Sequence, residues 1–194
     1  MFVMTVDQRR SRKDVDRVER FLTEFADQRL IRPFERTAGD EVQSVTDDAE
    51  AVVDIALRLV ADGHWSIGIG IGTVEEPLPS QTRAGRGPAF EEARTAVTRA
   101  KNAPGGVAVA GTDAGAAADV EAVLTLLALL VARRSDEGHA AVQQMRDGRS
   151  QSEAADTLGI SKQAVSQRLA AAGWQAEGPA RALTERLMNE ADHR

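Results

Sequence analysis

The chain has 194 residues, of which 42 % are apolar, and this fits one large domain or a medium domain with a small module. It has no cysteine, which excludes disulfides, thiolate metal sites and a cysteine nucleophile and favours a cytoplasmic location. The net charge of −6 does not by itself indicate binding of nucleic acid, so any such binding must come from a local surface and non-specific binding should be modest. The longest apolar run, 120–132, is interrupted by Glu121 and Thr125 and is too short to cross a membrane.

Residues 1–112 alternate between strand-like and helix-like patterns. Apolar runs predict strands at 2–6, twice within 34–46, at 65–74 and at 107–110. Apolar residues spaced by three and four predict helices at 14–29, 47–61 and 88–101. This order of elements predicts a ferredoxin-like antiparallel sheet with helices on one face, in a protein of the α+β class.

The strand predicted at 65–74 has an unusual composition. Ile67, Ile69 and Ile71 alternate with glycine, so one face of this strand has almost no side chains. We expect the backbone of another chain or a ligand to approach that face closely.

The pattern changes after residue 112. Residues 113–135 are rich in alanine and leucine and predict a long helix that connects two domains. Two interpretations of its apolar positions stay open, packing in the core and pairing with the same helix of a second subunit. Residues 177–194 predict one more helix, which packs on the neighbouring module or takes part in a dimer.

The segment 148–174, GRSQSEAADTLGISKQAVSQRLAAAGW, predicts two short helices joined by a tight turn. Ser150 or Ser152 can cap the first helix, Gly159 can end it in the left-handed conformation, and Ser161 can cap the second helix. Val165 and Leu169, one turn apart, face inward. Such a pattern is typical of a helix-turn-helix, here within a DNA-binding domain at 136–176.

The outward face of the second helix has side chains that read or hold DNA. Glutamine can bond the edge of adenine, serine can bond either base, and lysine and arginine can bind phosphate or guanine. The candidate DNA-binding residues are Ser161, Lys162, Gln163, Ser166, Gln167 and Arg168. The segment resembles the helix-turn-helix of sigma-factor region 4 and of related response regulators, in which "LGIS…V…RL" is usual. The stretch 146–170 contains four basic and three acidic residues, so the module is almost neutral.

Fragments of the first domain resemble a second family. They are VMTVDQRRSR at 3–12, AGDEVQ at 38–43, IGIGIGTV at 67–74 and GRGPAFEEAR at 85–94. Together, in this order and spacing, they resemble the SatD-like proteins and, more distantly, the GGDEF and class III nucleotide cyclase domains. The resemblance covers roughly 1–110 of this chain.

This second resemblance implies a site for a nucleotide. In the cyclases, an acidic residue after the first strand and another at a hairpin tip hold divalent cations over a nucleoside triphosphate. The matching residues are Asp7 and Asp40, which would bind Mg²⁺ together with the nucleotide. Arg94 stands where the cyclases place an arginine for the triphosphate. The cyclases have an asparagine four residues earlier, where this chain has Phe90, and no lysine matches the one that selects the purine.

These observations together predict a cytoplasmic, homodimeric transcriptional regulator rather than an enzyme or a membrane protein. A degenerate cyclase-like domain at 1–112 would hold the dimer and sense a nucleotide, and the module at 136–176 would bind double-stranded DNA. One alternative is a divergent nucleotidyl cyclase or phosphotransfer enzyme with a DNA-binding appendage. Another is an adaptor whose module binds protein, which the weak charge of that module leaves open.

Overall fold

A computed structural model of the chain describes residues 1–11, 14–28 and 30–193. The protein is α+β, as predicted, and its described part has a five-stranded mixed sheet and eight helices. The strands are β1 (Phe2–Gln8), β2 (Arg32–Arg36), β3 (Glu41–Thr46), β4 (Trp65–Ile71) and β5 (Val107–Gly111). The helices are α1 (Val18–Glu24), α2 (Ala49–Asp62), α3 (Pro88–Ala100), α4 (Ala114–Ala132), α5 (Asp136–Arg146), α6 (Gln151–Leu158), α7 (Lys162–Ala171) and α8 (Trp174–Asp192). The fragment 3–12, named above for its resemblance, and the predicted helix 14–29 end at Arg12 and Arg29. These two residues lie outside the described residues.

The strand order is β2-β3-β1-β4-β5, and one prediction about this sheet is wrong. The first four strands pair antiparallel, but β5 pairs parallel to β4, so the sheet is not purely antiparallel. The reason is the connection through α3, because a strand that returns through a crossover helix runs in the same direction as the strand before it.

Helices cover both faces of the sheet, whereas the sequence predicted helices on one face. Phe2, Met4 and Val6 of β1 point into a core that they share with α1, α2, α4 and α8. On the opposite face, Val3 packs with Phe90 and its neighbours on α3. Alternate side chains of a strand point to opposite faces, so the apolar side chains of β1 serve both layers.

Helix α3 lies on the glycine face of β4. A Cβ atom built at Gly68 would stand 2.6 Å from Val97 Cα and 2.7 Å from Ala93 O. The close approach predicted for this strand is present, but the partner is a helix of the same chain and not another chain or a ligand, as was expected. Glycine at alternate positions allows the helix axis to approach the sheet more closely than side chains would permit.

Helices α4 and α8 pack onto the sheet and against each other. Leu124, Leu127 and Val131 of α4 are buried in the main core, and so are Met188 and Ala191 of α8. The helix predicted as a connector thus contributes its inner side to the core, and the C-terminal helix begins at Trp174 rather than near 177. By length and apolar composition α4 could also cross a membrane, but 33 % of that segment is buried inside the protein. The helix has 19 residues, so it is longer than the apolar run 120–132, which by itself was too short to cross a membrane.

Helices α5, α6 and α7 form a small module with its own core. Ala141, Ala154, Val165 and Leu169 are buried there. This three-helix module contacts α8, and Arg134, in the link between α4 and α5, bonds the carbonyl of Ala172 at the end of α7.

Candidate functional site

Helix α7 exposes one side and buries the other. Val165 and Leu169 lie in the core of the module, 0 % and 3 % exposed. The Oγ of Ser161 accepts a hydrogen bond from the N–H of Ala164 at 3.2 Å, so this serine caps the helix as predicted. The outward row consists of Ser161, Lys162, Gln163, Ser166 and Gln167, which are exposed, and Arg168, which is half-buried at its edge.

Helix α6 and the turn hold α7 at a fixed angle. Ser150 and Glu153 form a capping box, in which each side chain accepts a hydrogen bond from the backbone N–H of the other. Gly159 ends α6 with φ 66°, a left-handed conformation that glycine adopts without steric cost. Ile160 is half-buried against the module core. These local features hold α7 in place, so its outward row is presented by a rigid support.

An acidic side chain lies near Arg168, and the sequence did not indicate it. The pKa of Glu137 is lowered by hydrogen bonds from its own backbone N–H and from Ser135 and, to a smaller extent, by the charge of Arg168. Glu137 is therefore ionised at neutral pH, beside the edge of the outward row. A carboxylate at this place lowers the positive potential of the module and reduces its general attraction to phosphates.

A buried ionic cluster joins the module to the sheet body. Glu177 of α8 is only 1 % exposed and binds Arg134, Arg146 at 2.5 Å and Arg181 at 2.8 Å. Arg134 is equally buried and also donates to the carbonyl of Ala172 at 2.9 Å. Arg181 continues to Asp54 of α2, at 3.2 Å. One carboxylate therefore connects α8, α5, the α4–α5 link and, through Arg181, α2.

The charge state of Glu177 follows from these contacts. Burial by itself raises the pKa of this carboxyl, but the hydrogen bonds and charges of Arg134, Arg146 and Arg181 outweigh burial and lower the pKa to about 2. Glu177 is thus ionised at all ordinary pH values.

The residues predicted to bind a nucleotide lie in two places. Asp7 is at the end of β1, and Asp40 is next to it in the β2–β3 turn, where its carbonyl accepts a hydrogen bond from Gln8 at 3.3 Å. The carboxylate of Asp7 binds Lys101 Nζ at 2.9 Å. Arg94 is exposed on α3 and lines a different hollow, together with Arg83 and Arg86. The backbones of Asp7 and Asp40 are therefore neighbours, but Asp40 is not among the residues that line the hollow beside Asp7, and Arg94 lies in a different hollow.

The hollow beside Asp7 is basic. It is lined by Arg9, Arg10, Lys101, Asn102 and Ser66 as well as by Asp7. The described residues contain no group of three or more histidine or acidic side chains that could hold a metal ion. With Asp7 already bound to an ammonium group, the side chains here fit an anion better than a resident Mg²⁺.

Phe90, which stands in place of the asparagine of the cyclases, is a packing residue. It is 1 % exposed, and its ring fills the space beside Gly85, where a Cβ atom would stand 2.6 Å from the ring carbon Cε1. A polar side chain at this position would lose these apolar contacts.

Comparison of the chain with models of protein families, with curated proteins and with solved structures finds no match.

Proposed function

We propose that the protein is a DNA-binding transcriptional regulator and that α6 and α7 form its helix-turn-helix, with α7 as the recognition helix. The observation that carries this proposal is the outward row of α7, whose exposed polar and basic side chains stand on a helix with a buried opposite side. Polar side chains also cover ordinary surface helices, and it is their combination with the serine-capped helices, the glycine-ended turn and the separate core that supports the proposal.

The dimensions and chemistry of α7 suit the major groove. Its ten residues make a helix about 15 Å long, and the major groove is about 12 Å wide. Gln163 and Gln167 can each bond an adenine edge with two hydrogen bonds, and Lys162 stands in the first turn, where phosphates approach a helix N-terminus. In this arrangement Gln163 reads bases and Lys162 holds the backbone.

A homodimer completes the proposal. Two recognition helices about 34 Å apart would read successive major grooves, so the operator is an inverted repeat. Extension of the sheet at its β5 edge is disfavoured as the dimer contact, because Glu121 and Arg99 bond the N–H and the carbonyl of Val109 on that edge strand. The outer side of α4, where Leu126 is 69 % exposed, is the surface that we assign to the dimer.

We expect the purified protein to enrich genomic fragments that share an inverted repeat. On the best fragment, Gln163→Ala should weaken binding by about 1–3 kcal/mol, mainly at one base position. Lys162→Gln should weaken binding to all sequences alike and reduce the slope of log affinity against log salt by about 1. A salt titration of fluorescence anisotropy with a labelled duplex measures both effects.

Arg186→Gln is the matched control, because Arg186 is exposed on α8, away from the outward row. It should leave affinity and salt slope unchanged. If no fragment is enriched even at low salt, or if Gln163→Ala and Arg186→Gln behave alike, the proposed recognition helix is wrong. The module is then better explained as a protein-binding adaptor.

For the first domain we propose a degenerate, ferredoxin-like cyclase fold that senses a nucleotide in the cytoplasm. Its support is the β1-α1-β2-β3-α2-β4 succession with the order β2-β3-β1-β4, and the place of Asp7 and Asp40 on neighbouring strand ends. The basic hollow with Arg9, Arg10 and Lys101 supplies positive charge for phosphates.

The second candidate is a divergent nucleotidyl cyclase or phosphotransfer enzyme, which the place of Asp7 and Asp40 at neighbouring strand ends favours. If it is correct, ATP or GTP with Mg²⁺ or Mn²⁺ yields a product, and Asp40→Ala abolishes that product. Asp119→Ala, an exposed aspartate on α4, should have no effect. Because the carboxylate of Asp7 is already paired with the ammonium group of Lys101, we expect no product from the wild-type protein. Chromatography of the reaction mixture tests this expectation.

A further inference from the structure

A cleft separates the three-helix module from the sheet body, and we call it the α2–α5 cleft. One wall is α2, with Arg58 and Ala61, and the other is α5, with His139, Gln143 and Arg146. Arg134, in the link between α4 and α5, lies at its base. The two walls belong to the two parts of the chain whose arrangement would set the positions of the recognition helices.

Positive charge exceeds negative charge around this cleft. Arg134 and Arg146 share the single carboxylate of Glu177 with Arg181. On the α2 side, Glu24 also lines the cleft, and its carboxylate lies 2.9 Å from Arg58, which is 4.0 Å from Asp54. The excess of guanidinium groups over carboxylates is therefore largest on the α5 side.

The guanidinium groups at the mouth of the cleft are partly accessible. The side chain of Arg58 is 31 % exposed, and that of Arg146 is 29 % exposed. Each of them uses some of its five N–H donors on a carboxylate, which leaves donors for another acceptor. A guanidinium group has the planar geometry that binds carboxylate or phosphate oxygens in pairs.

His139 provides a further polar group between them. Burial lowers its pKa, and the charges of Arg134 and Arg146 lower it further, against the smaller opposing effects of Asp136 and Glu177. The imidazole is therefore neutral at pH 7, so it offers one donor and one acceptor without adding charge.

We propose that the α2–α5 cleft binds a small anion with a phosphate or carboxylate group, held between Arg58 on one wall and Arg146, His139 and Gln143 on the other. This site is separate from the Asp7–Asp40 end of the sheet. A bound anion contacts the sheet body and the module at once, so it stabilises the arrangement in which both walls are correctly placed. The regulatory consequence, a change in operator affinity, rests on the proposed function; the binding itself does not.

Inorganic phosphate is the first probe, measured by isothermal titration calorimetry with the full chain in the absence of DNA and with chloride at matched ionic strength. Malonate is the second probe and distinguishes a carboxylate site from a phosphate site. The decisive variant is Ala61→Glu, because Ala61 is exposed and lines the cleft, so the substitution adds a negative charge without removing a packed side chain. Ala61→Gln has the same shape without the charge and is its matched control.

We expect Ala61→Glu to raise the dissociation constant of phosphate about tenfold, because a negative charge a few ångströms from the anion repels it even in a partly screened site. Ala61→Gln should leave the dissociation constant nearly unchanged. Arg58→Gln should have a similar or larger effect than Ala61→Glu, and Arg186→Gln none. Urea denaturation of each variant checks that the fold is intact.

Equal affinity of the Ala61→Glu and Ala61→Gln variants would overturn the proposal, and so would heat signals no larger than with chloride. Loss of binding in Arg94→Gln but not in Arg58→Gln would place the anion in the hollow that Arg94 lines with Arg83 and Arg86, and this result would also overturn the proposal. Because these measurements contain no DNA, they separate failure of the anion site from failure of the DNA-binding function, which the enrichment of fragments tests independently.

Discussion

Gly70→Ala is expected to lower the free energy of unfolding by about 3 kcal/mol or more, because the added methyl group would overlap the backbone of α3. A Cβ at Gly70 would stand 3.0 Å from Ala93 Cα and even closer to the carbonyl oxygen of Ala89. These are backbone atoms, so the clash is relieved only if the whole helix moves away from β4. Such a movement would also open the contacts of Val3 and Phe90 on that face of the sheet.

Gly115→Ala provides the control for Gly70→Ala. Gly115 lies in the first turn of α4, and the Cβ that this substitution adds would stand at ordinary contact distance, 3.4 Å, from Asp113 Oδ1. Because alanine favours a helix over glycine by up to about 1 kcal/mol, this variant should be as stable as the wild type or more stable. Urea denaturation followed by circular dichroism measures both variants. Equal stability of the two would contradict the close contact between α3 and β4.

Glu177→Gln is expected to lower the free energy of unfolding at pH 7 by about 3–5 kcal/mol. The substitution removes the charge that Arg134, Arg146 and Arg181 share, and Arg134, 1 % exposed, cannot turn to water. A buried guanidinium group without a counter-charge costs more than the ion pair contributed. Glu190→Gln, at an exposed position of the same helix, should change stability by less than about 0.5 kcal/mol.

The effect of Glu177→Gln should depend on pH in a defined direction. The pKa of Glu177 is about 2 in the folded protein and 4.5 as its ordinary value, so the folded state binds the proton more weakly than the unfolded state. The ionised carboxylate therefore contributes its full stability above about pH 4.5, and this contribution is lost as the pH falls from there towards 2. The difference in stability between wild type and Glu177→Gln should shrink over that range. A constant difference from pH 7 to pH 3 would mean that the cluster does not act through this charge.

Local sequence was sufficient to predict the structure of the α6–α7 segment in detail. Ser150, Gly159 and Ser161 begin and end helices where their residue types predicted, and Val165 and Leu169 point inward. Caps and turns depend on hydrogen bonds between residues three or four positions apart, and these interactions are already specified by the local sequence. The candidate interface on α7 could be predicted for the same reason, since one face of a helix follows from a spacing of three and four residues.

The sequence also predicted the α+β class and the places of the strands, but not how the sheet is covered. The glycines of β4 indicated a close approach, and only the tertiary structure identified α3 of the same chain as the partner. The prediction of a purely antiparallel sheet was wrong at β5, and the packing of α4 into the core was one of two interpretations that the sequence left open. An alternation of apolar residues fixes which faces are buried, but it does not fix which other element buries them.

Tertiary structure alone decided which charged residues meet. Glu177 binds Arg134 and Arg146, which are 43 and 31 residues away, and only Arg181 lies within one helical turn of it. The same holds for the residues predicted to bind a nucleotide, because the backbones of Asp7 and Asp40 are neighbours while Arg94 lies in another hollow. The exposed row of α7 was determined by the sequence because its geometry belongs to one helix. The Glu177 cluster and the α2–α5 cleft were not, because they exist only where separate helices pack and bring distant charges within a few ångströms.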